Sequence, residues 1–357
     1  MRLPLVKWAN FLSLAALLGL MPLSAEAATT YKSQKILITV VMLTSTERPT
    51  LWGDNNSEQE TLLRSQVDIA LKSWRNASAG ALIFSTRFKI SPPIPSLGHC
   101  ATSQDWKSAL STLNQKAPKL GEKILVINPE DLCTTAGYAQ VDGSFASVKN
   151  ISSTTIAHEL GHTFGFMHSA TISCPRNDFT ALNKSCKVEQ YGDKTDLMGS
   201  GLAIDSAKMS LAQSFLNWRQ PLAKSAKGGK FTLVASSKPL QGTLLSLKTN
   251  DGTAYIEFDD GIANGGYKVS ELDSPGIEIR IVGSSIGRTY TNAGESGIAT
   301  LALSRLVGLD GEGNCTAICG LDLRFHQGES VKIPNSRYLI KVLSASTSSA
   351  QILISSK

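Results

Sequence analysis

The chain has 357 residues, 42% of them hydrophobic and 18% charged, with a formal charge of +6, which is a globular composition long enough for two cored domains. No dense Lys/Arg block stands anywhere in it, so the modest positive balance gives no support to nucleic-acid binding. Five histidines and six cysteines are few enough that their positions carry information.

In chain order, "MRLPLVKWANFLSLAALLGLMPLSAEAATT" begins with Arg2 and Lys7, runs apolar to about Leu23 and reaches small residues at Ala25-Glu26-Ala27. A basic start, a short apolar run and an A-x-A end predict a secretory signal peptide over residues 1–27. The run falls short of the roughly 20 apolar residues that cross a bilayer, so no stable membrane anchor is expected. Loss of Arg2, Lys7 and Glu26 leaves 33 basic against 28 acidic side chains, or +5. The mature chain is expected to begin near Ala28 in an extracellular or periplasmic compartment. An oxidising compartment suits an even cysteine count. Cys100, Cys133, Cys174, Cys186, Cys315 and Cys319 fall into sequence-local pairs, with 100–133, 174–186 and 315–319 the favoured disulfides.

"QKILITVVML" (34–43) reads as a buried strand. Residues 58–78 read as an amphipathic helix with Leu62, Val67, Ala70, Leu71 and Trp74 toward the core. A strand over 81–90, a helix over 103–117 and a strand over 123–129 follow, an alternation that predicts an α/β sheet covered by helices. "CTTAGYAQVDGSFASVKN" (133–150) could hold an edge strand. Past residue 222 the text changes: "AKSAKGGK" reads as a linker, and 230–357 offers only short strands between Gly, Asn, Asp and Pro. That pattern predicts an all-β, sandwich-like C-terminal domain over 223–357, behind a first domain over 28–222.

Three of the five histidines lie in "IAHELGHTFGFMHS" (156–169). On a helix, His158 and His162 stack on one face, while Ile156, Leu160 and Phe164 lie on the opposite, core-facing side. Ser152 or Ser153 can cap the helix start. Gly165 can take positive φ and end the helix, so that His168 approaches from a third direction. Three imidazoles at about 2.0–2.1 Å from zinc leave one position open, which marks a catalytic site. Glu159 lies beside the ligands, where it can take a proton from a metal-bound water.

The run "HELGHTFGFMH" resembles the metzincin zinc endopeptidases, and "YGDKTDLMGS" (191–200) offers Met198 as the methionine below the metal in that clan. With "LAQSFLNWRQPL" (211–222) the stretch is most similar to the gametolysin family of secreted metzincins; "CTTAGYAQV" (133–141), "AYIEFDDG" and "GIEIRIVG" resemble parts of the same family. The resemblance implies an α+β catalytic domain with a twisted mixed sheet and an active-site helix. It implies a secreted zinc endopeptidase acting on extracellular or cell-wall proteins, with Glu159 as general base; a monomer is expected. It also implies that an edge strand within 137–148 pairs with substrate and that residues 199–206 shape the pocket. Ser200 stands where some metzincins carry a tyrosine, so no tyrosine is assigned to catalysis, and the first strand begins too soon after residue 27 for a long propeptide. The alternative is a secreted β-domain binding or adhesion protein with a vestigial zinc site. His99 reads as a neighbour of Cys100, His326 as a surface residue, and the acidic turns at 249–252, 258–261 and 309–314 as turns lacking the full spacing of a calcium loop.

Overall fold

The computed structural model describes residues 34–45, 56–78, 80–94, 111, 118–128, 136–180, 186–193, 196–199, 223–234, 243–250, 252–260, 274–282, 298–309 and 315–356. Strands β1 (Gln34–Ser45), β2 (Leu82–Ile94), β3 (Glu122–Ile127), β4 (Gly137–Ala139) and β5 (Phe145–Val148) form one sheet in the order β2-β1-β3-β5-β4. β2, β3 and β5 run parallel to β1 through their neighbours, and only the edge strand β4 is antiparallel. In β1, Ile36, Ile38, Val40, Val41, Met42 and Leu43 are all buried, the near-continuous apolar run that a parallel strand covered on both faces requires.

Helix α1 (Asn56–Ala77) buries Leu63, Val67, Ala70, Leu71 and Trp74. Leu62, expected in this core, is instead 46% exposed. Successive helical residues differ by roughly 100°, and the stripe set by Val67, Leu71 and Trp74 passes through Leu63. Trp74 is fully buried, and its indole N–H donates to the carbonyl of Ala157 at 2.8 Å. Its ring stands 5.3 Å from Phe164 and 5.2 Å from Phe166, joining α1 to the chain beyond.

Helix α2 (Ser153–Thr163) carries two of the clustered histidines on only 11 residues. Such a short helix is marginal alone and depends on tertiary contacts. The expected serine cap is not made: Ser152 stands at the cap position without a side-chain hydrogen bond, and the N–H of Ser153 donates to Oε1 of Gln66 on α1 at 2.9 Å. At the other end Lys123 of β3 donates from Nζ to the carbonyls of Thr163 and Gly143, at 2.7 and 2.6 Å. The N–H of Asp142 donates to the carbonyl of His162 at 2.8 Å. The helix is therefore held from α1 at its start and from the sheet at its end.

β6 (Phe166–Ser173) and β7 (Lys187–Glu189) follow. After residue 222 come β8 (Ala223–Ser225), β9 (Gly229–Val234), β10 (Leu244–Thr249), β11 (Gly252–Asp259) and β12 (Gly276–Val282). Next are β13 (Ile298–Leu303), β14 (Arg305–Leu309), β15 (Cys315–Asp322), β16 (Arg324–Phe325), β17 (Ser330–Lys332), β18 (Tyr338–Ala345) and β19 (Ser349–Ser356). An eight-stranded sheet has the order β7-β6-β13-β12-β11-β10-β8, with β16 also on β12. A four-stranded sheet has the order β17-β18-β19-β9, and β14 pairs with β15.

The architecture is thus mixed α+β, mostly strands in several sheets, and residues 33–357 form one compact unit. Past residue 222 the described residues form strands and no helix. Pairing continues across it, because β6 lies parallel to β13 and Ala170 and Ile172 share a core with Ile256, Ile279, Leu303, Ile340 and Ile352. No helix among the described residues is long and apolar enough to cross a membrane. Apart from Ser111, the helix expected over 103–117 lies outside the described residues, as do the signal segment, His99, Cys100, Cys133 and residues 200–222.

Trp74→Phe removes the hydrogen bond to Ala157 and opens a gap beneath α2. It is expected to lower stability by about 1–3 kcal/mol, read as a shift in the urea-unfolding midpoint of the metal-free protein.

Candidate metal centre

His158 and His162 lie one helical turn apart on α2, and each has its Nδ1 turned toward a backbone carbonyl. His158 Nδ1 is 3.2 Å from the oxygen of Leu197, and His162 Nδ1 is 2.8 Å from that of Phe166. A carbonyl only accepts, so Nδ1 carries the proton in both rings and the Nε2 lone pair is left for a ligand. Gly165 has a φ of 95°, a left-handed conformation that lets the chain leave α2 and enter β6 directly. His168 is the third residue of β6. Phe166 faces Ile298 and Ser169 faces Thr300, so β6 carries one extra residue across the Met167-His168 step. Such a bulge redirects a side chain out of the strand's regular alternation. The three rings converge: the centroids of His158 and His162 are 4.9 Å apart, those of His158 and His168 5.3 Å, and those of His162 and His168 4.8 Å.

Beneath the helix, Met198 is fully buried. A Cβ at position 161 would stand 2.3 Å from Met198 Sδ and 2.6 Å from Trp74 Cζ2, so only glycine admits both. The Met198 N–H donates to Asp196 Oδ1, and the Met198 carbonyl accepts from the N–H of Ser169, both at 2.8 Å. The methionine turn is therefore tied to the residue that follows His168. Tyr191, a letter of the sequence motif with no role assigned from it, lays its ring 3.9 Å from the ring of His168 and 5.8 Å from that of His158. It is 46% exposed and flanks the cluster on the His168 side.

Glu159 is buried against the edge strand. A Cβ on Gly137 would lie 2.6 Å from Glu159 Cγ, a requirement invisible in the sequence pattern. Burial pushes the Glu159 carboxyl up to about 8. Burial first, then His162 and His168, hold His158 down to about 3; burial, then His162, holds His168 down to about 4. Both imidazoles are thus neutral at neutral pH, the form in which they bind metal.

One ligating atom from each ring lies within 4.8 Å of the other two, a placement compatible with a metal ion. Neutral nitrogen donors suit zinc better than calcium, which takes oxygen ligands. Among the described residues no second group of three potential ligands occurs. His326, expected on the surface, is part-buried at 21% exposure; its Nε2 lies 2.8 Å from Asp322 Oδ2 and its Nδ1 3.2 Å from the Pro275 carbonyl, and it is not among the clustered rings. Cys174 and Cys186 form a disulfide that continues the Ser173–Lys187 pairing of β6 with β7 by one step. Neither is a thiol available to a metal. Cys315 and Cys319 stand on β15, where only the backbone is described.

Residues 107–249 match the profile of the family described as gametolysin peptidase M11. Over these residues the chain is gametolysin-like. The gametolysin-like stretch contains α2, His168 and Met198 and continues past residue 222 into β10. No curated protein matches the chain. One similar solved structure is described as a chaperone–substrate complex; it has 15% identity and a TM-score of 0.29, over 48% of this chain and 28% of that one. Another is catalytically inactive OgpA from Akkermansia muciniphila with an O-glycopeptide, at 14% identity and a TM-score of 0.32, over 73% of this chain and 91% of that one.

These ionisations set the pH response of the metal-free gametolysin-like centre. Between about 4 and 6.5 the unfolded chain binds more protons at His158 and His168, so stability rises with pH. Between 4.5 and about 8 the folded chain holds an extra proton on Glu159, which makes stability fall. Two imidazoles outweigh one carboxyl up to 6.5, above which the carboxyl acts alone among these three. Glu159→Gln is therefore expected to flatten the decline between 6.5 and 8, measured by thermal melting of chelated protein in a pH series.

Proposed function

We propose that the chain is a secreted zinc endopeptidase in which His158, His162 and His168 hold the metal and Glu159 is the general base. The observation that carries this reading is the convergence of three imidazoles, two held strongly toward their neutral form, beside a buried carboxyl group. A bound zinc ion would supply Lewis-acid polarisation of the scissile carbonyl and lower the pKa of a water toward about 7. Glu159, raised by burial, would be drawn back toward its ionised form by a cation held at the three imidazoles. Glu159 then takes a proton from water as its oxygen attacks the carbonyl carbon. The same carboxyl returns the proton to the departing amine as the C–N bond breaks.

β4 sits at the sheet edge beside Glu159, with Tyr138 51% exposed. An extended peptide added along this edge would lie antiparallel or parallel to β4 and bring its backbone to the base. Met198 supports the ligand helix from below, Gly165 sets the approach of His168, and residues 199–206 shape the pocket beyond the scissile bond. The substrates in this reading are extracellular or cell-wall proteins, reached after removal of residues 1–27, and the enzyme acts as a monomer. Residues 28–222 supply the ligands and base, while 223–357 form a β-rich, sandwich-like part.

A peptide library incubated with the mature chain, with and without chelator, tests the activity. Glu159→Gln is expected to retain zinc and lose about 10²–10⁴-fold in kcat. His168→Ala is expected to lower zinc occupancy, since two imidazoles leave the ion under-coordinated. Gly137→Ala should displace Glu159 and reduce kcat on the order of 10²-fold with zinc retained. A chain that binds zinc yet cleaves nothing would favour a β-domain binding protein with a vestigial site.

A further inference from the structure

We propose that Arg280, on β12 in the second half of the chain, is a positioning residue for the histidine centre: its guanidinium locks the turn leading to Met198 onto the strand that bears His168. The inference rests on the zinc-peptidase reading of that centre and adds to it a component that lies outside residues 28–222.

β12 reads Ile277-Glu278-Ile279-Arg280-Ile281. The three isoleucines join the large apolar core, while Glu278 and Arg280 point to the other face. Glu257 of β11 is the direct cross-strand partner of Glu278. All these side chains are buried, and Arg280 is 1% exposed. Its Nε donates to Glu257 Oε1 at 2.9 Å and its Nη2 to Glu278 Oε2 at 2.8 Å, which fixes the orientation of the planar group. The remaining arm reaches β6 and the segment before Met198. Nη1 donates to Asp193 Oδ2 and, at 3.2 Å, to Ser169 Oγ.

Asp193 and Ser169 belong to the two segments that frame the centre. Ser169 follows His168 directly, and Asp193 lies between Tyr191 and Met198. The Ser169 hydroxyl donates to Asp193 Oδ2 at 2.9 Å, the Asp193 N–H donates to the Ser169 carbonyl at 3.3 Å, and the Ser169 N–H donates to the Met198 carbonyl at 2.8 Å. The one guanidinium thus closes a buried network that includes the backbone of both segments. A salt bridge this deeply buried is weak grounds for a stability role, because desolvation offsets its attraction. Its geometry assigns it to orientation: through Ser169 and Asp193 it fixes the backbone on either side of the centre, one step removed from the carbonyls that hold the imidazoles. The sequence shows only alternating charge in "GIEIRIVG", with no sign of where Arg280 reaches.

The test uses the full mature chain loaded with zinc or, for its visible absorption, cobalt(II). Arg280→Lys keeps the charge and loses the fork; Ser169→Ala removes only the hydroxyl link. Ile340→Ala, in the core of β18, serves as a control for loss of stability alone. Arg280→Lys is expected to weaken zinc affinity about 10–100-fold, to alter the cobalt absorption, and to lower kcat more than it changes KM. Ser169→Ala should move the same readouts in the same direction by less. Ile340→Ala should lower the melting temperature and leave zinc affinity and the cobalt spectrum at wild-type values. Folded Arg280→Lys with wild-type affinity and spectrum overturns the inference. If Arg280→Lys does not fold, wild-type values in Ser169→Ala overturn it. A wild-type chain that binds neither ion overturns the zinc reading and this inference together, whereas metal binding that both variants leave untouched overturns this inference alone.

Discussion

Everything at the centre depends on the close packing of Trp74, Gly161 and Met198. An 11-residue helix cannot hold two imidazoles at a fixed separation unless its surroundings hold the helix. Here the indole of Trp74 grips the helix backbone at Ala157, and the absence of a side chain at position 161 lets the indole and the methionine sulfur press against the same turn. His158 and His162 bracket that turn. Their Nδ1 atoms are then held by carbonyls of Leu197 and Phe166, which belong to the methionine turn and to the start of β6. Packing fixes the helix, and hydrogen bonding from its neighbours fixes the rings.

The same economy governs the electrostatics. Removing the site from water favours neutral imidazole and neutral carboxylic acid alike. A neutral imidazole can bind a cation, whereas a neutral carboxyl cannot take up a proton. A cation would move Glu159 toward its ionised form, so the empty and occupied centres differ in proton content as well as in charge. The close approach of Gly137 limits how far the carboxyl can move away from the cluster.

Much of the first half was legible in the sequence because its signals are periodic or fixed by spacing. β1, α1, β2 and β3 follow from apolar runs and a helical stripe, and the histidine spacings follow from one turn of helix and a glycine exit. What escaped were choices made by partners distant in sequence. Leu62 and Leu63 are both leucine, and only the one on the stripe of Val67, Leu71 and Trp74 is buried. Ser152 is an ordinary capping residue, yet Gln66 of another helix serves the helix start. Gly137, Gly161 and Arg280 look unremarkable in one dimension because their constraints come from Glu159, Met198 and Asp193. The change in texture near residue 222 reports composition, and β6 pairs with β13 across it.

That crossing has a bearing on the order of events as the polypeptide emerges. Ser169, adjoining the third histidine, meets Arg280 only across a separation of 111 residues. A chain delivered from its N-terminus has both histidines of α2 in place long before β12 and β13 arrive to brace β6. Until they do, the strand bearing His168 lacks its parallel neighbour, and Asp193 lacks its buried counter-charge. Completion of the histidine centre is thereby tied to delivery of the second half of the polypeptide, and a chain that stops short of β12 carries its three imidazoles without the frame that holds the third.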